Sequence, residues 1–132
     1  MVQMELHKIL IDEKRSDQLI IIKEKKGKRI LPIVIGIAEA SSIRLKLSGF
    51  TPPRPLTHDL IKDVFKGLGA VLEKIVIDGL EESTFFAKLH FKSTGGKKVV
   101  VDSRPSDSIA LAVRTDAPIF VEEEVLEKGQ LV

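Results

Sequence analysis

Two stretches of the sequence repeat the same order of residue types, and this repeat constrains the fold more than any other feature. The matching segments are KILID (8–12) with KIVID (74–78), IVI (33–35) with VVV (99–101), and SIRL (42–45) with SIAL (108–111). In both copies, three strand-like apolar segments precede a helical segment. The pattern predicts two duplicated βββα units related by pseudo-twofold symmetry, with a helix inserted between them.

Length and composition indicate one domain over residues 1–132 with its own core. The chain has 132 residues, 43% of them hydrophobic, and a formal net charge of +2. The absence of Cys excludes disulfides and zinc–thiolate sites. The absence of Trp and Tyr removes most of the stacking surface that RNA-binding modules use. Because the charge is nearly balanced, any nucleic acid would have to bind a local patch.

No segment of the sequence predicts a membrane span or a secretion signal. The longest apolar run, residues 30–38, is too short to cross a bilayer. The first twelve residues alternate between polar and apolar types and contain no signal-peptide core. We therefore expect a soluble, cytoplasmic protein without a membrane partner.

The periodicity of apolar residues predicts an α+β fold, with a mostly antiparallel sheet and helices packed on it. Val2, Met4 and Leu6 alternate with polar residues, as strands with one buried face do. Pro32 cannot donate to a strand ladder, so its strand is expected at an edge or a bulge. Residues 108–114 are so apolar that a helix there must be buried nearly all round.

An amphipathic helix is predicted immediately after Leu56. Thr57 is a suitable N-cap for it, and Gly67 and Gly69 mark its end. The residues of its apolar stripe are Leu60, Ile61, Val64, Phe65 and Leu68.

Polar and ionisable side chains concentrate at three places where a helix is predicted to begin. These segments are GIAE (36–39), RPLTHD (54–59) and DSRPSD (102–107). Helix N-termini offer free amides and a partial positive charge, which attract phosphates and carboxylates. The candidate functional residues are Glu39, His58, Asp59, Asp102, Arg104 and Asp107.

These candidates also have purely structural interpretations. An acid in a first helical turn, such as Glu39 or Asp59, stabilises the helix by roughly 0.3–1 kcal/mol without any function. Asp102 could cap the turn that follows it, and Arg104 could pair with Asp107 or with Asp102.

Other ionisable residues are predicted to lie outside a site. Arg114 follows the buried helix and is interpreted as a partner of its C-terminal dipole. His7 and His90 lie on polar strand faces and are predicted to be surface residues. The sequence contains no phosphate-binding Gly-rich loop, no zinc-type His pair and no serine elbow.

Five motifs occur in order over nearly the whole chain. They are LPIVIG (31–36) with EA (39–40), RPLTHDL (54–60), FFA (85–87), VDSRPSDSIALAVR (101–114) and APIFV (117–121). Together they closely resemble the motifs of the bifunctional nuclease domain family. The resemblance implies an α+β fold, frequent dimers, and an activity on both RNA and DNA.

One hypothesis is a metal-assisted nuclease acting on RNA and DNA. Phosphodiester hydrolysis needs an activated water and relief of charge on the phosphate, and Mg²⁺ or Mn²⁺ prefers oxygen ligands. Asp102 and Asp107 are the predicted metal ligands, and Glu39 and Asp59 are predicted to be further carboxylate ligands or catalytic groups. His58 is predicted to act as the base or as the acid that protonates the leaving group. Arg104 is predicted to bind the phosphate.

The second hypothesis is a non-catalytic binding or regulatory module that forms an oligomer, such as a dimer. Under this hypothesis Asp102, Arg104 and Asp107 form a buried ion-pair network that fixes the turn. The small residues at 38–42, the apolar edge around Pro32 and the lack of a stacking surface favour it.

Overall fold

The computed structural model describes residues 1–130 of the chain. Its elements are β1 (Val2–Leu10), β2 (Asp17–Glu24), β3 (Ile30–Gly36), α1 (Ile37–Leu47), α2 (Thr57–Gly67), β4 (Val71–Glu81), β5 (Thr84–Lys92), β6 (Lys98–Ser103), α3 (Pro105–Thr115), β7 (Ile119–Val121) and α4 (Glu123–Gly129). This composition confirms the predicted α+β class. The order βββα occurs twice, with α2 between the two units, while the duplication itself stays a prediction. So does the single domain over 1–132, of which residues 131–132 lie outside the described part.

The described strands form one seven-stranded sheet in the order β3-β2-β1-β7-β4-β5-β6. Neighbouring strands are antiparallel except for β4 and β7, which are parallel. Each trio, β1 to β3 and β4 to β6, is a meander, because short turns can join only antiparallel strands. The edge position predicted for the strand of Pro32 is confirmed, since β3 is one outer strand and β6 is the other.

Helix α3 lies at the centre of the helical layer, where it contacts α1, α2, β4 and β5. Ile109 and Ala110 are fully buried and Leu111 is almost so, which confirms the prediction of a helix buried nearly all round. Removing one such large aliphatic side chain from water contributes about 1.5–3 kcal/mol to folding. This buried helix therefore holds its N-terminus, residues 104–107, in a fixed place relative to the sheet.

Helix α2 is anchored less firmly. Its Phe65 ring contacts Phe91 of β5 edge-on, with 5.0 Å between the ring centroids, but most of the predicted apolar stripe faces solvent. Leu68, for example, is 79% exposed. The helix begins at Thr57 with Leu56 in the cap position, so the prediction of Thr57 as N-cap was one residue out.

Among residues 1–130, no helix combines the length and the apolar character that crossing a bilayer requires.

Candidate functional site

The N-termini of α1, α2 and α3 meet at one open cavity of about 710 Å³. Glu39 lies in the first turn of α1, His58 in the first turn of α2, and Arg104 at the cap position of α3. All three side chains line the cavity, together with Asp107. The three junctions singled out in the sequence are therefore neighbours in space, although they are far apart along the chain.

His58 is the centre of the cluster. Its Nδ1 lies 2.9 Å from Ser42 Oγ, and its Nε2 lies 2.9 Å from Asp107 Oδ1. An ionised carboxylate only accepts hydrogen bonds, so Nε2 carries the proton that is shared with Asp107. In the neutral ring, Nδ1 then has no proton and accepts the hydroxyl of Ser42. His58 is 8% exposed, so these two contacts fix the orientation of its ring.

Arg104 connects this histidine to the edge of the cavity. Its Nε donates to Asp107 Oδ2 across 2.8 Å, and its Nη2 lies 3.4 Å from Glu39 Oε1. Burial raises the pKa of Asp107, but the hydrogen bonds from Arg104 and His58 outweigh it, and the pKa falls below 3.8. The Arg104 side chain is 67% exposed, so its guanidinium is accessible to an anion.

Arg114 forms a second, buried branch of the same network. Its Nε donates to Asp59 Oδ1 across 2.8 Å, and its Nη2 donates to Ser42 Oγ across 3.0 Å. Its Nη1 donates to the carbonyl of Ala110, so the predicted contact with the C-terminal turn of α3 is also present. The side chain is 1% exposed. The sequence analysis placed Arg114 outside the site, whereas its contacts with Asp59 and Ser42 make it part of it.

Asp59 is held from two sides. Its Oδ2 accepts the backbone N–H of Leu56, which satisfies a free amide at the start of α2, while Oδ1 binds Arg114. Burial raises the pKa of Asp59, but the hydrogen bond from Arg114 and that from Leu56 together bring it below its ordinary value.

Asp102 lines the cavity but belongs to a different set of contacts. It lies opposite Lys88 in the β5–β6 register, and the two side chains are 3.3 Å apart. The Lys88 ammonium also contacts Asp78 at 3.3 Å, and the Asp102 side chain is 78% exposed. In the described part of the chain, Asp102 neither pairs with Arg104 nor caps the turn that follows it, so these two interpretations are wrong.

The carboxylates proposed as metal ligands do not form a ligand set in this arrangement. Within residues 1–130, no group of three or more His, Asp or Glu side chains could hold an ion. Both carboxylate oxygens of Asp107 already have partners, in His58 and Arg104, whereas Asp102 contacts Lys88 through Oδ1. As placed, these residues do not form a Mg²⁺ or Mn²⁺ site built from protein side chains alone, and their role as metal ligands stays a prediction.

Ser42 is the member of the cluster that the sequence analysis missed. The sequence analysis included it in the repeat and among the small residues at 38–42, without a role in the site. In the structure it joins the His58 branch to the Arg114 branch. The available signal was the repeat, which aligns this serine with Ser108 at the start of the other predicted helix.

The other two histidines were both predicted to be surface residues. His7 is exposed on β1, as expected, whereas His90 is half-buried on β5. A hollow of about 880 Å³, larger than the cavity at His58, lies beside β1, β2 and the end of α1. Its buried polar side chain, Gln18, is bonded to backbone carbonyls of Asp12 and Arg15. That hollow therefore gives no indication of a ligand.

A cavity lined by a histidine–carboxylate pair and an accessible arginine is the kind of site that hydrolases use. The chain belongs to the bifunctional nuclease domain family, whose model matches residues 20–132. An uncharacterized protein of Mycobacterium tuberculosis strain H37Rv is 43% identical to it over 124 residues, which are 94% of this chain and 73% of that protein.

Two plant proteins are more distant relatives. Bifunctional nuclease 2 of Arabidopsis thaliana is 27% identical over 123 residues, covering 85% of this chain and 37% of the plant protein. Bifunctional nuclease 1 of Oryza sativa subsp. indica is 23% identical over 109 residues, covering 80% of this chain and 33% of the plant protein. The chain thus corresponds to about a third of each plant protein.

Proposed function

We propose that this protein hydrolyses phosphodiester bonds in RNA and DNA at the cavity between α1, α2 and α3. The observation that carries the proposal is the 2.9 Å contact between His58 and Asp107, in a cavity that Arg104 also lines. Family membership and the names of the plant relatives support nucleic acid as the substrate class.

Each residue of the cluster has a role that follows from its contacts. Asp107 holds the His58 ring and stabilises the positive charge that the ring acquires when it takes a proton. Because Nε2 is bonded to Asp107, the atom that accepts the proton of the nucleophile is Nδ1. Arg104 is exposed and cationic, so it pairs with the non-bridging phosphate oxygens. Glu39 lies 3.4 Å from Arg104 and orients its guanidinium.

Dependence on Mg²⁺ or Mn²⁺ stays a prediction, as does a cytoplasmic location. Within residues 1–130 no three ligating side chains are grouped around one point, so none of the roles above involves a metal. Assays in Mg²⁺, in Mn²⁺ and in EDTA would measure any contribution of a metal directly.

A non-catalytic module remains the second candidate, and the Arg114 branch favours it. A buried arginine that ties Asp59 to Ser42 contributes to helix packing whether or not the cavity binds a substrate. The two functions differ in what they require of His58 and Asp107, because only the nuclease needs a proton acceptor in the cavity.

Two aspartates that line the same cavity provide the test. The purified protein, free of host nucleases, is incubated with end-labelled single-stranded RNA and DNA under the three metal conditions. We expect cleavage by the wild-type protein, a loss of about 100-fold or more in Asp107→Asn, and nearly full activity in Asp102→Asn. Equal rates for the two variants would refute the role of Asp107, and absence of cleavage under every condition would favour the non-catalytic module.

We further propose that the protein is a homodimer joined along β6. This outer strand presents unpaired backbone N–H and C=O groups and three consecutive exposed valines, of which Val100 is 54% exposed. Antiparallel pairing with a second copy about a twofold axis at Val100 places Lys98 opposite Asp102 of the partner subunit. Opposite charges then meet at both ends of the paired segment, and valine meets valine between them.

Helix α2 packs on one face of the sheet near the outer strand β6. Val99 is the register partner of Phe91, which the α2 residue Phe65 contacts. In the joined sheet, the exposed apolar stripes of the two α2 helices are therefore on the same face. Shielding such a stripe from water favours association.

A further inference from the structure

We propose that Ser42 is the nucleophile of this site and that its Oγ forms a covalent phosphodiester intermediate with the nucleic acid. For the natural substrate, the inference rests on the phosphodiester hydrolysis proposed above. It assigns a new role to a residue that neither the motifs nor the helix starts indicated.

The first observation is the contact between the Ser42 hydroxyl and His58. Ser42 Oγ is 2.9 Å from Nδ1 of His58, the ring nitrogen that has no proton when Nε2 is bonded to Asp107. The hydroxyl therefore already donates to the base that would remove its proton. Hydroxyl, imidazole and carboxylate form one hydrogen-bonded chain, with the two ring nitrogens exchanged relative to the usual serine hydrolase arrangement.

The second observation is the cation on the same oxygen. Nη2 of Arg114 donates to Ser42 Oγ across 3.0 Å, and the arginine is fixed by its bonds to Asp59 and to the Ala110 carbonyl. Its side chain is 1% exposed. A buried guanidinium at hydrogen-bond distance stabilises the negative charge that develops on Oγ as the proton leaves, because water screens it little.

The third observation is access. Ser42 is only partly buried and lines the cavity that also contains Arg104 and Asp107. A phosphate paired with Arg104 in this cavity can therefore come within reach of Oγ. Ser41 lines the cavity too, but within residues 1–130 its side chain makes no hydrogen bond to a base.

The reaction then proceeds in two displacements. Ser42 Oγ bonds to phosphorus while its proton moves to Nδ1 of His58. The bond from phosphorus to one nucleotide oxygen breaks, and that oxygen leaves with the proton as an alcohol. Water next attacks phosphorus and gives a proton to His58, and the phosphorus–Oγ bond breaks as Oγ regains a proton. The sum is hydrolysis of one phosphodiester by one water, with no redox change.

This route also explains how one site could cleave both RNA and DNA. Attack by a protein hydroxyl does not use the 2′-hydroxyl of the substrate, which DNA lacks. The position of cleavage then depends on how the backbone is held and not on the type of sugar.

The test combines an active-site label with a cleavage assay. A fluorophosphonate forms a stable phosphorus–Oγ bond and releases fluoride, so it reports a nucleophilic serine without needing nucleic acid. We expect peptide mass spectrometry to find the label on Ser42 of the wild-type protein, and at least a 10-fold slower labelling of His58→Gln. In parallel, Ser42→Ala should cleave end-labelled single-stranded DNA about 100-fold more slowly or worse, while Ser41→Ala should match the wild type.

The outcomes separate the two proposals. Cleavage by the wild type without a label on Ser42 would keep the nuclease and overturn the serine nucleophile, leaving water as the group that His58 activates. A label on Ser42 without cleavage of RNA or DNA would keep the nucleophile and overturn the nuclease. If Ser42→Ala fails to fold in a melting experiment, the label on the wild-type protein decides alone, and its absence from Ser42 overturns the inference.

Discussion

Arg114 Nε donates a hydrogen bond to Asp59 Oδ1 across 2.8 Å, and this contact joins the last turn of α3 to the first turn of α2. Replacing this arginine leaves Asp59 without its charge partner, and the loss destabilises the fold because the arginine is buried. We expect Arg114→Met to lower the free energy of unfolding by about 3 kcal/mol, as measured by urea denaturation.

Lys128 provides the matched control for that variant. It pairs with Glu124 at 3.2 Å, but both side chains are exposed. Lys128→Met should change the free energy of unfolding by less than about 0.5 kcal/mol. If the two variants lose the same stability, the contact between Arg114 and Asp59 does not stabilise the packing of α2 on α3 as its burial indicates.

Acid should weaken the contact between Arg114 and Asp59. Burial raises the pKa of Asp59, but the hydrogen bonds from Arg114 and Leu56 bring it below 3.8, its ordinary value. A carboxyl group with a lowered pKa in the folded state contributes stability above the unfolded value, and this contribution disappears as the pH falls through the folded value. We therefore expect Asp59→Asn to melt well below the wild type at pH 7, with a difference that shrinks below about pH 4. A constant difference from pH 7 to pH 3 would contradict this linkage.

The features that local sequence determines could be predicted. Residues 109–113 are all apolar, which predicts that the helix containing them, α3, is buried nearly all round. Pro32 has no N–H to donate, which restricts its strand to an edge. The grouping of polar residues at three helix starts likewise reflects the free amides at the ends of helices.

The partners within the site could not be predicted, because they depend on tertiary contacts between distant segments. Ser42 and Arg114 meet only after α1 and α3 have packed together, and nothing local distinguishes this serine from Ser41. Asp102 was grouped with Asp107 because they are close in sequence. The register of β5 and β6 instead places Asp102 opposite Lys88, so the two aspartates have different partners although both line the cavity.

Arg104 should contribute to substrate binding more than to stability. Its side chain is 67% exposed, so Arg104→Gln should leave the melting temperature nearly unchanged. We expect a higher KM for an oligonucleotide and a decrease of about 0.7–1 in the slope of log affinity against log salt, as for the loss of one phosphate contact. Arg29→Gln, which removes a contact with Glu123 elsewhere on the surface, should leave that slope unchanged. A slope unaffected by Arg104→Gln would exclude Arg104 as a phosphate-binding group.

The two outer strands allow a controlled test of the dimer. Val100 on β6 and Val34 on β3 are both exposed valines, at 54% and 61%. We expect Val100→Glu to convert a dimer into a monomer, because it places two carboxylates opposite each other at the twofold axis. Val34→Glu should remain dimeric. Light scattering after size-exclusion chromatography measures the mass of each, and a monomeric wild type, or a dimer that survives Val100→Glu, would refute pairing along β6.

The most direct measurement of the central claim is the rate at which His58→Gln cleaves single-stranded RNA and DNA, compared with His7→Gln and the wild type. His58 is 8% exposed and bonded to Asp107, whereas His7 is an exposed strand residue outside the cavity. We expect His58→Gln to lose about 100-fold or more of the rate on both substrates, and His7→Gln to lose none. A folded His58→Gln protein that cleaves as fast as the wild type would contradict a catalytic site at this cavity.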